Sequence, residues 1–117
     1  MDTGYSQWSL KTNRPSWRPP TDIYESLNSI VIIMEIAGMH VDDFSIEVTG
    51  RVLSINGIRP HIVDKRAYHQ VEIPFGEFRA DFEIPAKFNL DTIDARYNNG
   101  FLEVTIQKSH PKQVQIE

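Results

Sequence analysis

The chain has 117 residues, a formal net charge of −4 and no cysteine. At roughly 100–200 residues per domain this is one domain with short tails, and 40% hydrophobic with 24% charged residues suits a packed core better than disorder. The lack of cysteine excludes disulfides, thiolate zinc sites and cysteine nucleophiles, while the acidic balance disfavours nucleic acid and anionic membranes as partners.

Isoleucine and valine together number 22, leucine and alanine only 10. β-branched residues favour strands, so the composition leans to an all-β fold. Charge is unevenly placed: residues 1–20 sum to +2, residues 107–117 to +1 and residues 21–106 to −7. Both a basic arm resting on an acidic domain and a merely solvated tail fit that distribution. The longest uninterrupted apolar run, Ile30 to Met34, is far too short to span a bilayer, and no signal peptide opens the chain. A cytoplasmic protein is expected, with no membrane partner.

Residues 1–18 read as a mobile arm. Tyr5, Trp8, Leu10 and Trp17 stand among polar residues and Pro15, with Pro19 and Pro20 close behind, and no strand or helix period shows. Two tryptophans in such an arm argue for burial against a partner. A short strand is expected around Ile23 and Tyr24. In the next strand Ile30, Ile32, Met34 and Ile36 share one face by alternation, and Val31, Ile33 and Glu35 share the other. Either both faces are covered within the domain, or Val31 and Ile33 form a patch facing a partner.

Phe44, Ile46 and Val48 alternate as the inward side of a third strand. Thr49-Gly50-Arg51 is a tight turn and Val52–Ile55 the returning strand, closed by Gly57 and Pro60. Residues 58–76 form a long polar stretch with a strand-like centre at Tyr68, His69, Val71, Glu72 and Ile73; loops of that length are usually functional or disordered. Phe78, Ala80, Phe82 and Ile84 face inward in the following strand. Asp91–Tyr97 and Phe101–Ile106 flank Asn98-Asn99-Gly100, a strong hairpin signal. A single helical turn fits near Val41–Asp43 or Phe88–Asp91. Six or seven short strands mark a sandwich or barrel.

Catalysis finds no support. No nucleophile elbow, zinc-helix motif, phosphate loop or calcium-loop spacing occurs. His40, His61, His69 and His110 are scattered without metal-ligand spacing, and no cofactor is implied. The C-terminal tail, residues 109–117, carries Val114 and Ile116 two apart. In an extended chain both point the same way, so they fit a groove along a sheet edge.

These features, taken in order, resemble the α-crystallin domain of small heat shock proteins, over residues 19–108 and into the tail. The resemblance is carried by Pro20–Glu25, Glu35–Met39, Leu53–Arg59 and Tyr68–Phe78. Its most specific stretch is Ala95–Val104, where Asn99-Gly100-Phe101-Leu102 matches the family's N-G-V-L with Phe101 at the valine position. Two departures stand out. Ala80 occupies the place of the family's usual arginine, with Arg79 one position early, and Gln107 stands where a proline often follows the last strand. The arm before Pro20 is also short for the family.

The resemblance implies an immunoglobulin-like β-sandwich of the bacterial and archaeal type and an ATP-independent holdase that binds unfolding proteins. It further implies that the chain forms dimers or higher homo-oligomers by exchanging a strand through Tyr68–Ile73. Val114 and Ile116 would dock in a neighbour's groove at Ile46, Val48, Ile93 and Ala95. Tyr5, Trp8, Leu10 and Trp17, with Val31 and Ile33, would hold clients. Two further readings remain: an adaptor of the CS-domain type that binds one folded partner, and a sugar- or peptide-binding sandwich.

Overall fold

A computed structural model describes residues 17–61 and 67–117. Among the described residues seven strands follow one another: β1 (Thr21–Glu25), β2 (Ser29–Glu35), β3 (Phe44–Thr49), β4 (Val52–Arg59), β5 (Gly76–Glu83), β6 (Asp94–Asn98) and β7 (Phe101–Gln107). They form two antiparallel sheets, β1-β2-β7-β6 and β3-β4-β5. The sandwich follows from the alternation. Ile30, Ile32, Met34, Leu102, Val104 and Ile106 point from one sheet, and Leu53, Ile55, Phe78, Ala80 and Phe82 from the other, all buried in one core. Ile36, Ile84 and Phe88 close that core at the crossovers between sheets.

Two hairpins have two-residue connections, Gly50-Arg51 between β3 and β4 and Asn99-Gly100 between β6 and β7. Asn99 and Gly100 both take positive φ (52° and 83°), the demand of a type I′ turn, which is why this dipeptide predicts the hairpin. Arg51 then ties the hairpin tip to the crossover after β5. Its guanidinium donates to the carbonyls of Ile84 (3.1 Å), Pro85 (2.6 Å) and Phe88 (2.7 Å).

Several sequence expectations need correction. β4 does not stop near Ile55 but runs to Arg59, in register with β5 as far as Gly76. Gly57 permits this. A Cβ there would lie 2.5 Å from the Asp43 carbonyl and 2.9 Å from the Phe78 ring. Gly57→Ala is therefore expected to lower stability by about 1–3 kcal/mol, the usual cost of overpacking. A drop in the urea midpoint with the β-sheet circular dichroism retained checks it. Residues Asp91–Ile93 are not strand: Leu90–Thr92 form a 3-10 turn, capped by the Asn89 side chain, which accepts from the Asp91 N–H at 3.0 Å. The other 3-10 turn lies at Val41–Asp43. No strand forms within residues 67–75 of this single chain.

The displaced arginine is explained by the alternation of β5. Ala80 is buried in the core, whereas Arg79, one place earlier, lies on the outer face and bonds Asp81 (3.1 Å) and the Ser54 hydroxyl (3.3 Å). A one-residue shift along a strand exchanges faces. The Ser54 hydrogen bond, followed by Arg79, holds the Asp81 carboxyl below the ordinary aspartate value against partial desolvation. Arg79 and Asp81 are half-exposed, so their ion pair adds little to stability.

Candidate functional site

Four places on the sandwich hold the residues singled out by the sequence. The first is the rim formed by β3 and β6, the outer strands of opposite sheets, which the rings of Phe44 and Tyr97 link. Ile46 and Ile93 are partly buried against the core there, Val48 is 44% exposed, and Ala95 is exposed. The expectation that Phe44, Ile46 and Val48 all point into the core is thus only partly met. β3 is an outer strand, so its inward row lies at the mouth of the sandwich and not at its centre. One end of the rim is closed by Tyr97. Its ring lies 4.9 Å from that of Phe44, and its hydroxyl donates to the Ile36 carbonyl (2.7 Å) and accepts from the Met39 N–H (3.4 Å).

The second place is the tail. Phe88 bridges Lys108, and the Ser109 N–H donates to the Lys87 carbonyl at 2.8 Å, so the chain stays fastened to the domain through Ser109. Beyond it Val114 and Ile116 are 72% and 92% exposed. The third is the long loop. Tyr68, Val71 and Ile73 are exposed, as are His69 and Glu72, and the Gln70 amide donates to Glu72 at 2.7 Å. Across the molecule β1 is the outer strand of its sheet, with Ile23 and Tyr24 half-exposed.

The fourth place is the root of the arm. Tyr5, Trp8 and Leu10 lie outside the described residues. Trp17 does not hang free as an arm anchor. It forms a parallel bridge to Phe78 on the open side of β5, its ring meets that of Phe78 edge-on at 5.7 Å, and its Nε1–H donates to the Gly76 carbonyl (3.2 Å). Arg59 covers the indole at 4.5 Å. Sequence reasoning missed Arg59, although the face shared by Leu53, Ile55 and Gly57 continues to it. Val31 also departs from its role as an exposed patch. It is buried, flanked across the strands by Tyr24 and Thr105, and offers a client almost no surface; Ile33, between Asp22 and Glu103, is half-buried.

Among the described residues no group of three or more histidines, aspartates or glutamates is placed to hold a metal ion. No helix there is long and apolar enough to cross a membrane. The arrangement offers sheet edges and exposed aliphatic knobs, which are means of binding other chains.

The sequence profile of the Hsp20/alpha crystallin family matches residues 22–117. The chain belongs to that family. Among curated proteins it is 37% identical to a 22.7 kDa class IV heat shock protein of Pisum sativum, over 89% of this chain and 52% of that one. It is 33% identical to small heat shock protein C2 of Rickettsia felis, over 77% of this chain and 60% of that one. It therefore spans about half to three fifths of the length of these relatives. Among solved structures, a small heat-shock protein from Xylella fastidiosa matches with TM-score 0.73 and 26% identity, over 86% of this chain and 97% of that one. The hspA protein from Xanthomonas axonopodis matches with TM-score 0.74 and 28% identity, over 80% and 95%. The sandwich is the family's α-crystallin domain, and the family is one of ATP-independent chaperones and not of enzymes.

Proposed function

We propose that this protein is a holdase: it binds proteins that are losing their fold and keeps them from aggregating, without ATP. One observation carries the reading. Val71, Ile73, Val114 and Ile116 are aliphatic side chains, 66–92% exposed, on segments outside a domain whose own core is already closed. Exposed apolar groups of that kind mark surfaces made for other chains. The loop would add a strand to β1 of a second copy, whose outer rim pairs with no other strand among the described residues, and so build a dimer. The tail would dock along the β3–β6 rim of a neighbour. Clients would be held by the arm residues and by apolar rims. Burial of their newly exposed surface is worth roughly 25 cal/mol per Å², and many weak contacts suit diverse clients. The proposed setting is the cytoplasm, and neither nucleic acid nor membrane is a proposed partner. The adaptor reading has less support, because CS-type domains lack the long loop and the tail pair.

Light scattering from a heat-labile enzyme warmed with the protein tests the activity. Scattering suppressed equally with and without ATP is expected; unaltered aggregation rejects the reading. Deleting residues 62–74 is expected to give folded monomers by multi-angle light scattering, and a mass unchanged by that deletion rejects the exchange.

A further inference from the structure

Arg59 ends β4 at the neck of the long loop, and three other segments of the chain meet on its side chain. Its Nε donates to the Pro74 carbonyl at 3.0 Å, and Nη2 donates to the same oxygen, which fastens the exit of the loop. Nη1 reaches the Ala37 carbonyl at 3.3 Å, just beyond β2. The guanidinium carbon lies 4.5 Å from the Trp17 ring and 5.2 Å from the Phe75 ring. Phe75 in turn stacks on His61, at the loop entrance, with 4.5 Å between centroids and 15° between planes. The root of the arm, the exit of β2 and both ends of the loop are thus joined through one cation.

The chemistry of this contact is particular to arginine. A guanidinium presents its flat faces to aromatic rings while its in-plane N–H groups donate to carbonyls, which a lysine ammonium cannot do. With one ring contributed by the arm root and the other by the loop, each contact fixes the cation for the other. Loss of Trp17 from its seat leaves the guanidinium half-covered and its hold on Pro74 looser. Two sites that share one two-state element are coupled, and the coupling is reciprocal.

We infer that Arg59 is a positioning residue that couples the arm to the dimerisation loop, so that seating of Trp17 strengthens the dimer and dimer formation strengthens the seating of Trp17. The inference rests on the proposed role of the loop. It implies that a client drawing the arm off the domain loosens the dimer at the same time.

The full chain carrying Trp8→Phe leaves Trp17 as its one tryptophan, so its emission and acrylamide quenching report the arm root alone. In that background Arg59→Gln is expected to red-shift Trp17 emission. It should also raise the dimer dissociation constant, measured by sedimentation over a dilution series, roughly tenfold, the weight of one or two cation-assisted contacts. Arg59→Lys keeps the charge and should not restore the wild-type constant. In the otherwise native chain Trp17→Ala should weaken the dimer to a similar degree although Trp17 lies outside the loop. The double variant should be little worse than either single one, the signature of a shared contact. Circular dichroism identifies any variant that fails to fold, and Trp17→Leu serves as the milder replacement. A Trp17 variant that folds and dimerises as tightly as wild type overturns the coupling while leaving the dimer reading intact. A chain without residues 62–74 that keeps its dimer mass overturns both.

Discussion

Replacing Val114 and Ile116 together by glycine will reduce assemblies of this chain to dimers while the β-sheet circular dichroism stays unchanged. The two side chains lie almost wholly in solvent and touch no part of the core, so their loss costs the domain nothing. Each buried aliphatic side chain of this size is worth about 1.5–3 kcal/mol. Losing both weakens one tail contact by a factor of a hundred or more, at about 1.4 kcal/mol per tenfold. The structure also limits where the tail can go. From the sequence, Gln107–Gln113 is a linker of roughly 23 Å at about 3.3 Å per residue. Because Lys108 and Ser109 are fastened to Asn28 and Lys87, only residues 110–113 are available, roughly 13 Å. A neighbour's rim must therefore lie close to the point where the tail leaves. Size-exclusion chromatography with light scattering checks the outcome. An unchanged mass means that the tail serves its own domain or none, and tail docking between copies is then rejected.

The parts of this molecule that were legible in the sequence are those governed by a local period or a turn code. Alternation points Ile30, Ile32, Met34 and Ile36, and likewise Phe78, Ala80, Phe82 and Ile84, inward, and all eight are buried. Asn99-Gly100 announced its hairpin because few dipeptides accept two positive φ values in succession. What stayed hidden depends on neighbours distant in sequence. The run of β4 through Gly57 follows from the close approach of Asp43 and Phe78, which no window around Gly57 contains. The exposure of Val48 follows from β3 being an outer strand, and sheet order is not a local property. In the sequence Trp17 sits among polar residues and prolines, as a client anchor would, yet its partners are Gly76, Phe78 and Arg59, all beyond the first two strands in the chain. Arg59 was the least visible, since its partners lie 15 to 42 positions away.

Removing residues 1–16 will leave the domain folded and sharply weaken suppression of client aggregation, with or without ATP. The first half of this expectation rests on the core. Among the described residues every fully buried side chain lies at Pro19 or later, and the arm-root contacts of Trp17 with Gly76, Phe78 and Arg59 survive the cut. The strand signal and the denaturation midpoint should therefore stay close to those of the full chain. The second half rests on where apolar surface is left for a client. Trp17 is committed to the domain and Val31 is buried, which removes two of the six proposed client residues. Ile33 is half-buried among charged neighbours, and the remaining three, Tyr5, Trp8 and Leu10, all belong to the removed segment. An aromatic residue of this kind buries on the order of 200 Å². At roughly 25 cal/mol per Å², Tyr5 and Trp8 together supply about 10 kcal/mol of gross burial, before the cost of ordering the arm. The loss should reach at least tenfold in the concentration of chaperone needed to halve client scattering. A truncated chain that protects as well as the full one moves client capture to the rims of the sandwich. The exposed side chains of Val48 on β3 and of Ile23 and Tyr24 on β1 are then the residues to replace next.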